Sequence, residues 1–274
     1  MFSRIKPYIE RHTTLTSVYR SIRDAWTFQQ QRPQVTPLGF KLIGRSDMQT
    51  GIFEPETTAI IQKQLMQADV FVDVGANIGY YTCLAKSLGK HAVAIEPLDD
   101  NLRYLYANLA ENGFDDVEVW PVGVSDKIGF STLYGGSTGA SLVRGWAGAS
   151  PFYKRAISLS TLDCLLGKRF EEKRLVIKID IEGAEYLALQ GAKSILTMSP
   201  RPIWIVEIGL TAHHPSGRNP HFGSTFSLFW QHAYRSRAIE LGNQDVQAAD
   251  VTEWVRIGTC PPGASNYIFE STSI

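Results

Sequence analysis

Acidic side chains lie at or near the ends of three short apolar runs of this sequence. Asp73 is the fourth residue of a β-branched run, Asp180 closes a second run, and Glu207 lies near the end of a third. In open α/β sheets the carboxyl ends of parallel strands form the edge where ligands bind. A buried carboxylate is costly unless it has a partner, so these acids indicate a binding or catalytic site at one edge of a sheet.

Asp73 also begins a turn with the pattern D-x-G-x-N-x-G, which ends at Gly79. The flanking residues predict a strand before the turn and a helix after it. Such a turn brings backbone N–H groups and a helix N-terminus beside a ligand, and its glycines allow the backbone a close approach. A dinucleotide fingerprint would need glycine in place of Asn77 and Tyr80, so this turn suits a cofactor that has no pyrophosphate.

A second predicted strand, residues 91–97, carries Glu96, which follows Gly75 by 21 residues. A carboxylate at that distance binds ribose hydroxyls in nucleotide-binding folds, and Asp73 can accept a hydrogen bond from an ammonium group. Together they favour S-adenosylmethionine as the cofactor, whereas the turn alone is also consistent with a strand–turn–helix that only packs. The expected cofactor contacts are Asp73, Gly75, Ala76, Asn77, Gly79, Tyr80, Glu96, Pro97, Val124 and Ser125.

Strands and helices alternate along most of the chain. Such alternation makes neighbouring strands parallel, which would bring the acids at the strand ends to one edge of the sheet. In chain order the apolar pattern predicts a helix at 98–111, strands at 117–122, 175–180 and 201–208, a helix at 224–234, and strands at 238–241 and 266–269. This alternation predicts an α/β fold with a parallel, doubly wound sheet and right-handed crossovers.

The alternation lapses where two predicted strands flank a segment rich in glycine, serine and alanine, residues 135–150. Segments of this kind are either functional loops or plain connections. In the first case the segment closes over a substrate, with Arg144 and Trp146 as contacts. In the second case it is a loop without a role, and the sequence leaves both interpretations open.

The composition is that of an ordinary globular protein. Lys+Arg and Asp+Glu both number 27 among 274 residues, so net charge gives no reason to expect nucleic acid as a partner. No apolar run approaches the roughly 18 residues of a membrane span, and no signal-peptide pattern begins the chain. We therefore expect a cytoplasmic protein without a transmembrane segment.

Residues 1–32 differ from the rest, with six basic and two acidic residues and apolar residues at helical spacing. This basic helix is either a membrane-surface or partner-binding element or an extension packed on its own domain or on another copy in a homo-oligomer. We divide the chain into a helical extension with its linker, 1–36, and a catalytic domain, 37–274. Residues 1–32 are expected to be dispensable for cofactor binding.

Several short motifs, in order, resemble the FkbM family of S-adenosylmethionine-dependent methyltransferases. They are Phe53-Glu-Pro, residues 73–82, Glu96-Pro97, Thr161-Leu-Asp163, residues 178–185, Gly191-Ala192, and Arg201-Pro202 with Glu207. The resemblance implies a Rossmann-like class I methyltransferase fold with a seven-stranded, mostly parallel sheet whose last strand is antiparallel. It also implies O-methylation of a hydroxyl on a sugar, glycan or secondary metabolite.

Methyl transfer to such a hydroxyl requires alignment and help in removing the hydroxyl proton. Asp180 and Glu207 are candidates for that base, or for oxygen ligands of Mg²⁺. His213 and His214, in the loop after the fifth predicted strand, are the other candidates for the base. With His221, three histidines follow that strand, but their spacing matches no zinc pattern.

Two other functional classes remain possible from the residues alone. A nicotinamide-dependent oxidoreductase is disfavoured by the two missing glycines of the dinucleotide fingerprint. A catalytically silent module that binds S-adenosylmethionine is not excluded by fold. Acids at three strand ends argue against the silent module, because buried carboxylates are costly to keep.

Overall fold

A computed structural model of the chain describes residues 26–272. Most of the predicted basic extension lies outside the described residues, and the division at residue 36 stays a prediction. The elements are β1 (Gln34–Val35), β2 (Lys41–Leu42), α1 (Ser46–Thr50), α2 (Pro55–Leu65), β3 (Val70–Val74), α3 (Tyr80–Ser87), β4 (His91–Ile95), α4 (Asp99–Glu111), β5 (Glu118–Trp120), β6 (Gly123–Val124), β7 (Gly129–Tyr134), β8 (Lys154–Ser160), α5 (Leu162–Leu166), β9 (Leu175–Ile179), α6 (Glu185–Gln190), α7 (Lys193–Thr197), β10 (Ile203–Glu207), α8 (Phe222–Gln231), β11 (Tyr234–Ala238), β12 (Gln244–Val246), α9 (Ala248–Ile257) and β13 (Asn266–Ser271).

Eight strands form one mixed sheet in the order β12-β11-β13-β10-β9-β3-β4-β5. Strands β10, β9, β3, β4 and β5 are parallel, and β13 runs antiparallel between β10 and β11. The predicted doubly wound, mostly parallel sheet with an antiparallel last strand is confirmed. The sheet has eight strands rather than seven, because the chain turns back after β11 and pairs β12 with it.

Near the C-terminus the predicted helix and strand are displaced. Helix α8 ends at Gln231, Ala233 adopts a left-handed φ of 59°, and β11 occupies 234–238 instead of 238–241. Tyr234 and Ser236 both point inward and are buried. A buried serine hides the apolar alternation by which a half-buried strand is recognised, which explains the error.

The central strands β3 and β9 are buried along their whole length, so side chains at their carboxyl ends reach the surface only at the sheet edge. Helix α8 packs its aromatic face into the core, as predicted, with the Phe229 ring stacked 3.8 Å from that of Phe269. Within residues 26–272 no helix is both long and apolar enough to span a membrane.

A second sheet, in the order β6-β8-β7, stands beside the main one. Its strands β7 and β8 hold the glycine-rich segment 135–150 between them. Residues of this segment line a cleft at the carboxyl edge of the main sheet, together with residues that follow β3, β4 and β9 and with Glu207 at the end of β10. The second sheet therefore supplies one wall of the candidate site.

Candidate cofactor and acceptor cleft

The glycine turn after β3 packs tightly against its own neighbours. Gly75 and Gly79 have φ values of 84° and 88°, which L-residues rarely adopt. A Cβ on Gly75 would lie 1.9 Å from the backbone oxygen of Asp180, and one on Gly79 would lie 2.5 Å from the Leu105 side chain. Packing against the end of β9 and a left-handed φ therefore both favour glycine at position 75, and φ together with the contact with Leu105 favours glycine at position 79.

Asp73 presents a carboxylate oxygen that lacks a partner. The side chain is 1% exposed, and its Oδ2 accepts a hydrogen bond from Thr82 Oγ1 at 2.6 Å. Its buried Oδ1 has no hydrogen-bond partner among residues 26–272, although Asp73 lines the cleft. Since an unpaired buried carboxylate is costly, this oxygen fits a cationic donor such as an ammonium group.

Glu96 joins the glycine turn to the start of α4. Its Oε2 accepts the Asn77 backbone N–H and its Oε1 accepts the Leu98 backbone N–H, both at 2.8 Å. Burial raises the pKa of Glu96 to about 7. Each carboxylate oxygen has a second lone pair, so Glu96 can still accept hydrogen bonds from ribose hydroxyls while it holds the turn.

At the other end of the cleft, Asp180 and Glu207 lie at the ends of neighbouring strands beside Lys178. The Lys178 Nζ lies 2.8 Å from Asp180 Oδ2, and the lysine side chain is 3% exposed. Against the opposing effect of burial, the Lys178 charge and a hydrogen bond from Glu207 lower the pKa of Asp180. The Asp180 charge, then burial, raises the pKa of Glu207 well above its usual range. Asp180 is therefore the ionised member of the pair.

Glu54 and Lys178 belong to this group of charges, although sequence reasoning assigned neither to the site. The Glu54 backbone has a left-handed φ of 40°, and its Oε2 accepts a hydrogen bond from the Tyr81 hydroxyl at 2.9 Å. One carboxylate oxygen each of Glu54, Asp180 and Glu207 lies within 4.8 Å of the others. The sequence does contain a signal for Lys178, which is a single charged residue inside an apolar strand. For Glu54 the only signal is its place in the Phe53-Glu-Pro motif.

Other predicted site residues are divided between the cleft and its surroundings. Ala76, Asn77, Tyr80, Pro97 and Val124 line the cleft. Ser125 is buried behind it, with its Oγ 3.0 Å from Asp126 Oδ1. His213 and His214 are not among the described residues that line the cleft. The centroids of their rings lie 6.1 and 5.9 Å from that of the Trp146 ring.

The comparison with protein families agrees with this geometry. The family described as "Methyltransferase FkbM domain" matches residues 73–236, more than half of the chain. The protein is therefore an S-adenosylmethionine-dependent methyltransferase with a class I, Rossmann-like fold. Within that class it belongs to the FkbM family.

Several solved structures that are similar to this chain are distant from it in sequence. They include an O-methyltransferase from Bacillus cereus in complex with SAH (14% identity, TM-score 0.44, covering 83% of this chain and 91% of that one). Others are precorrin-6y C5,15-methyltransferase from Geobacter metallireducens (13%, 0.41, 69% and 76%) and a SAM-dependent methyltransferase from Agrobacterium tumefaciens (11%, 0.44, 87% and 68%). A search of curated proteins gives no significant match. None of these similarities indicates the acceptor of this chain.

Proposed function

We propose that the protein methylates a hydroxyl oxygen of a sugar, glycan or secondary metabolite. The observation that carries this proposal is the pair Asp180 and Glu207, which line the same cleft as the cofactor candidates Asp73 and Glu96. S-adenosylmethionine supplies the methyl group from its sulfonium centre. A hydroxyl is a poor nucleophile until its proton is drawn away, so the chain must provide a base.

In this proposal Asp180 is the base. Its carboxylate accepts the proton of the acceptor hydroxyl, and the Lys178 ammonium at 2.8 Å keeps it ionised beforehand. Glu207 holds its own proton and donates a hydrogen bond to Asp180, which fixes the orientation of the base. General-base assistance of this kind typically contributes about 10²–10⁴-fold to a rate.

The cofactor contacts follow from the two buried acids at the other end of the cleft. Asp73 would bind the ammonium group through its unpartnered Oδ1, and Glu96 would accept the ribose hydroxyls. Val124, at the end of β6, and the turn residues would border the rest of the molecule. These assignments do not use His213 or His214, which are not among the described residues that line the cleft.

The affinity for S-adenosylhomocysteine should rise with pH up to about 7, because ribose hydroxyls donate to the ionised form of Glu96 and its pKa in the free protein is about 7. Glutamine at position 96 does not titrate, so Glu96→Gln should make the affinity less dependent on pH. The substitution should also weaken binding by roughly 1–3 kcal/mol. Calorimetric titration between about pH 5 and pH 8 measures both effects. Glu111→Gln, at the outer end of α4, serves as the control and should keep the wild-type profile. An unchanged profile in Glu96→Gln would remove Glu96 from the cofactor site.

The same group gives a linked prediction for stability. The pKa of Glu96 in the folded protein, about 7, lies above its ordinary value of 4.5. The stabilisation that its protonation provides is therefore fully present below pH 4.5. It is lost as pH rises through about 7, by about 3 kcal/mol at most. Urea unfolding of the cofactor-free protein should therefore show a smaller loss over this range in Glu96→Gln than in the wild type.

The class of reaction is tested with the chemistry of the product. The purified protein is incubated with methyl-labelled S-adenosylmethionine and fractionated cell extract, and the labelled product is then treated with alkali. A neutral, alkali-stable product supports a methyl ether. Methanol released by alkali would show carboxyl methylation, and label on a cationic product would show N-methylation; either result contradicts the proposal. Binding of NAD as tight as that of S-adenosylhomocysteine would instead favour an oxidoreductase.

Mg²⁺ is the second means of activating the hydroxyl, favoured by the three carboxylate oxygens of Glu54, Asp180 and Glu207 within 4.8 Å of one another. Oxygen ligands of this kind suit Mg²⁺, which usually keeps several waters. If Mg²⁺ activates the acceptor, a chelator abolishes methyl transfer and added Mg²⁺ restores it. If Asp180 is the base, the rate is the same with and without chelator.

A further inference from the structure

The glycine-rich segment 135–150 forms one wall of the cleft through its residues 137–142. At one end the Ser137 backbone oxygen accepts a hydrogen bond from the Asn101 side chain at 3.5 Å. At the other end Ser141 Oγ donates to the backbone oxygen of Glu182 at 2.5 Å. From this part of the segment Ser137, Thr138, Ala140 and Leu142 line the cleft. The wall thus reaches from the start of α4, beside Glu96, to the turn that follows Asp180.

Trp146 anchors this wall to the turn after β9. The side chain is 5% exposed, and its indole N–H donates to Glu182 Oε2 at 2.5 Å. The ring lies on Gly183, where a Cβ would approach a ring carbon to 2.5 Å. The next residue, Ala147, donates its backbone N–H to the His213 oxygen at 2.8 Å. Trp146 is therefore held by both loops that follow the strands of Asp180 and Glu207.

The first part of segment 135–150 has further contacts, since Ser141 pairs with Tyr134 and Leu142 packs against a small apolar cluster. In the second part, residues 142–150, Trp146 is the one buried residue. Five residues of the whole segment are glycines, at 135, 136, 139, 145 and 148, and glycine-rich backbone loses much conformational freedom when it is ordered. Glu182, which receives the indole hydrogen bond, lines the cleft, and burial and the Asp180 charge raise its pKa to about 7. The contact of Trp146 with Glu182 is thus part of the cleft itself.

We propose that Trp146 is a positioning residue for methyl transfer: seated on Gly183 and Glu182, it keeps segment 135–150 closed over the cleft, and its release opens the cleft. A closed wall keeps water away from the reacting groups, and loop movements of this kind commonly admit and release ligands. The role differs from the substrate contact suggested by the sequence, because Trp146 is buried and is not among the described residues that line the cleft.

Limited trypsin digestion of the full-length protein tests this proposal without knowledge of the acceptor. Arg144 is the single basic residue of segment 135–150, and it is exposed two residues before the anchor. Trp146→Phe keeps most of the ring but loses the N–H donor, so cleavage after Arg144 should be about 3–10-fold faster than in the wild type. Trp146→Ala should be cleaved faster still. Saturating S-adenosylhomocysteine, with occupancy measured separately by calorimetry, should slow cleavage in the wild type and much less in Trp146→Ala.

A matched control separates the anchor from general destabilisation. Trp230→Phe removes another indole hydrogen bond, the one to Ser236 Oγ at 3.0 Å, away from the cleft, and should leave cleavage after Arg144 unchanged. Each rate is taken relative to cleavage after Lys168 in an exposed turn. Equal relative cleavage rates in Trp146→Phe and the wild type would overturn the proposal. A wild-type cleavage rate that is unchanged by bound S-adenosylhomocysteine would also overturn it. If Trp146→Ala does not fold, Trp146→Phe alone decides.

Discussion

Asp180→Asn should lower methyl transfer by about 10²-fold or more while the affinity for S-adenosylhomocysteine stays nearly the same. The substitution keeps the shape of the side chain but removes the charge that accepts the hydroxyl proton. Because Lys178 lowers the pKa of Asp180, the wild-type residue is ionised at neutral pH and the full effect should appear there. Initial rates with labelled S-adenosylmethionine measure the loss, and calorimetry measures the affinity.

Glu207→Gln provides the matched comparison. The neighbouring Asp180 charge raises the pKa of Glu207 well above its usual range, so glutamine resembles the protonated side chain that the wild type already carries. We therefore expect a much smaller loss of rate than in Asp180→Asn. A larger loss in Glu207→Gln would exchange the roles of the two acids. Retained activity in both variants would refute the carboxylate proposal and direct attention to His213 and His214.

The proposed cofactor half of the cleft was accessible from the sequence because its signals are local. The turn from Asp73 to Gly79 lies within one strand–turn–helix unit, and Glu96 lies at the end of the next strand. Parallel strands place their carboxyl ends at one edge, so the meeting of these acids follows from the order of strands alone. The structure brings Glu96 to the Asn77 N–H at 2.8 Å, as such a turn requires.

The acceptor half depends on contacts that no local pattern encodes. Glu54 meets Asp180 and Glu207 from the start of α2, far away along the chain. Lys178 and Asp180 are two residues apart, so strand periodicity places them on one face, but no local pattern indicates that Glu207 lies beside Asp180. Trp146 lies in a segment without periodicity, and its seat on Gly183 exists only in the folded chain.

The glycine at position 75 gives the second large effect. Gly75→Ala places a Cβ 1.9 Å from the backbone oxygen of Asp180 on a backbone with φ 84°. Steric overlap and left-handed backbone strain together should lower the free energy of unfolding by about 3 kcal/mol or more. The overlap is with backbone, so relief requires movement of the end of β9. That movement displaces Asp180, and binding of S-adenosylhomocysteine should weaken as well because the glycine turn moves with it.

Gly89→Ala separates the two causes. Gly89 has a similar φ of 71°, but among the described residues a Cβ there would meet nothing within 4 Å. Only backbone strain remains, so the loss of stability should be about 1–2 kcal/mol, with unchanged binding of S-adenosylhomocysteine. Urea unfolding and calorimetric titration of both variants measure the difference. Equal destabilisation by the two substitutions would mean that φ alone requires glycine at position 75, and that the contact between the cofactor turn and the Asp180 turn can relax without cost.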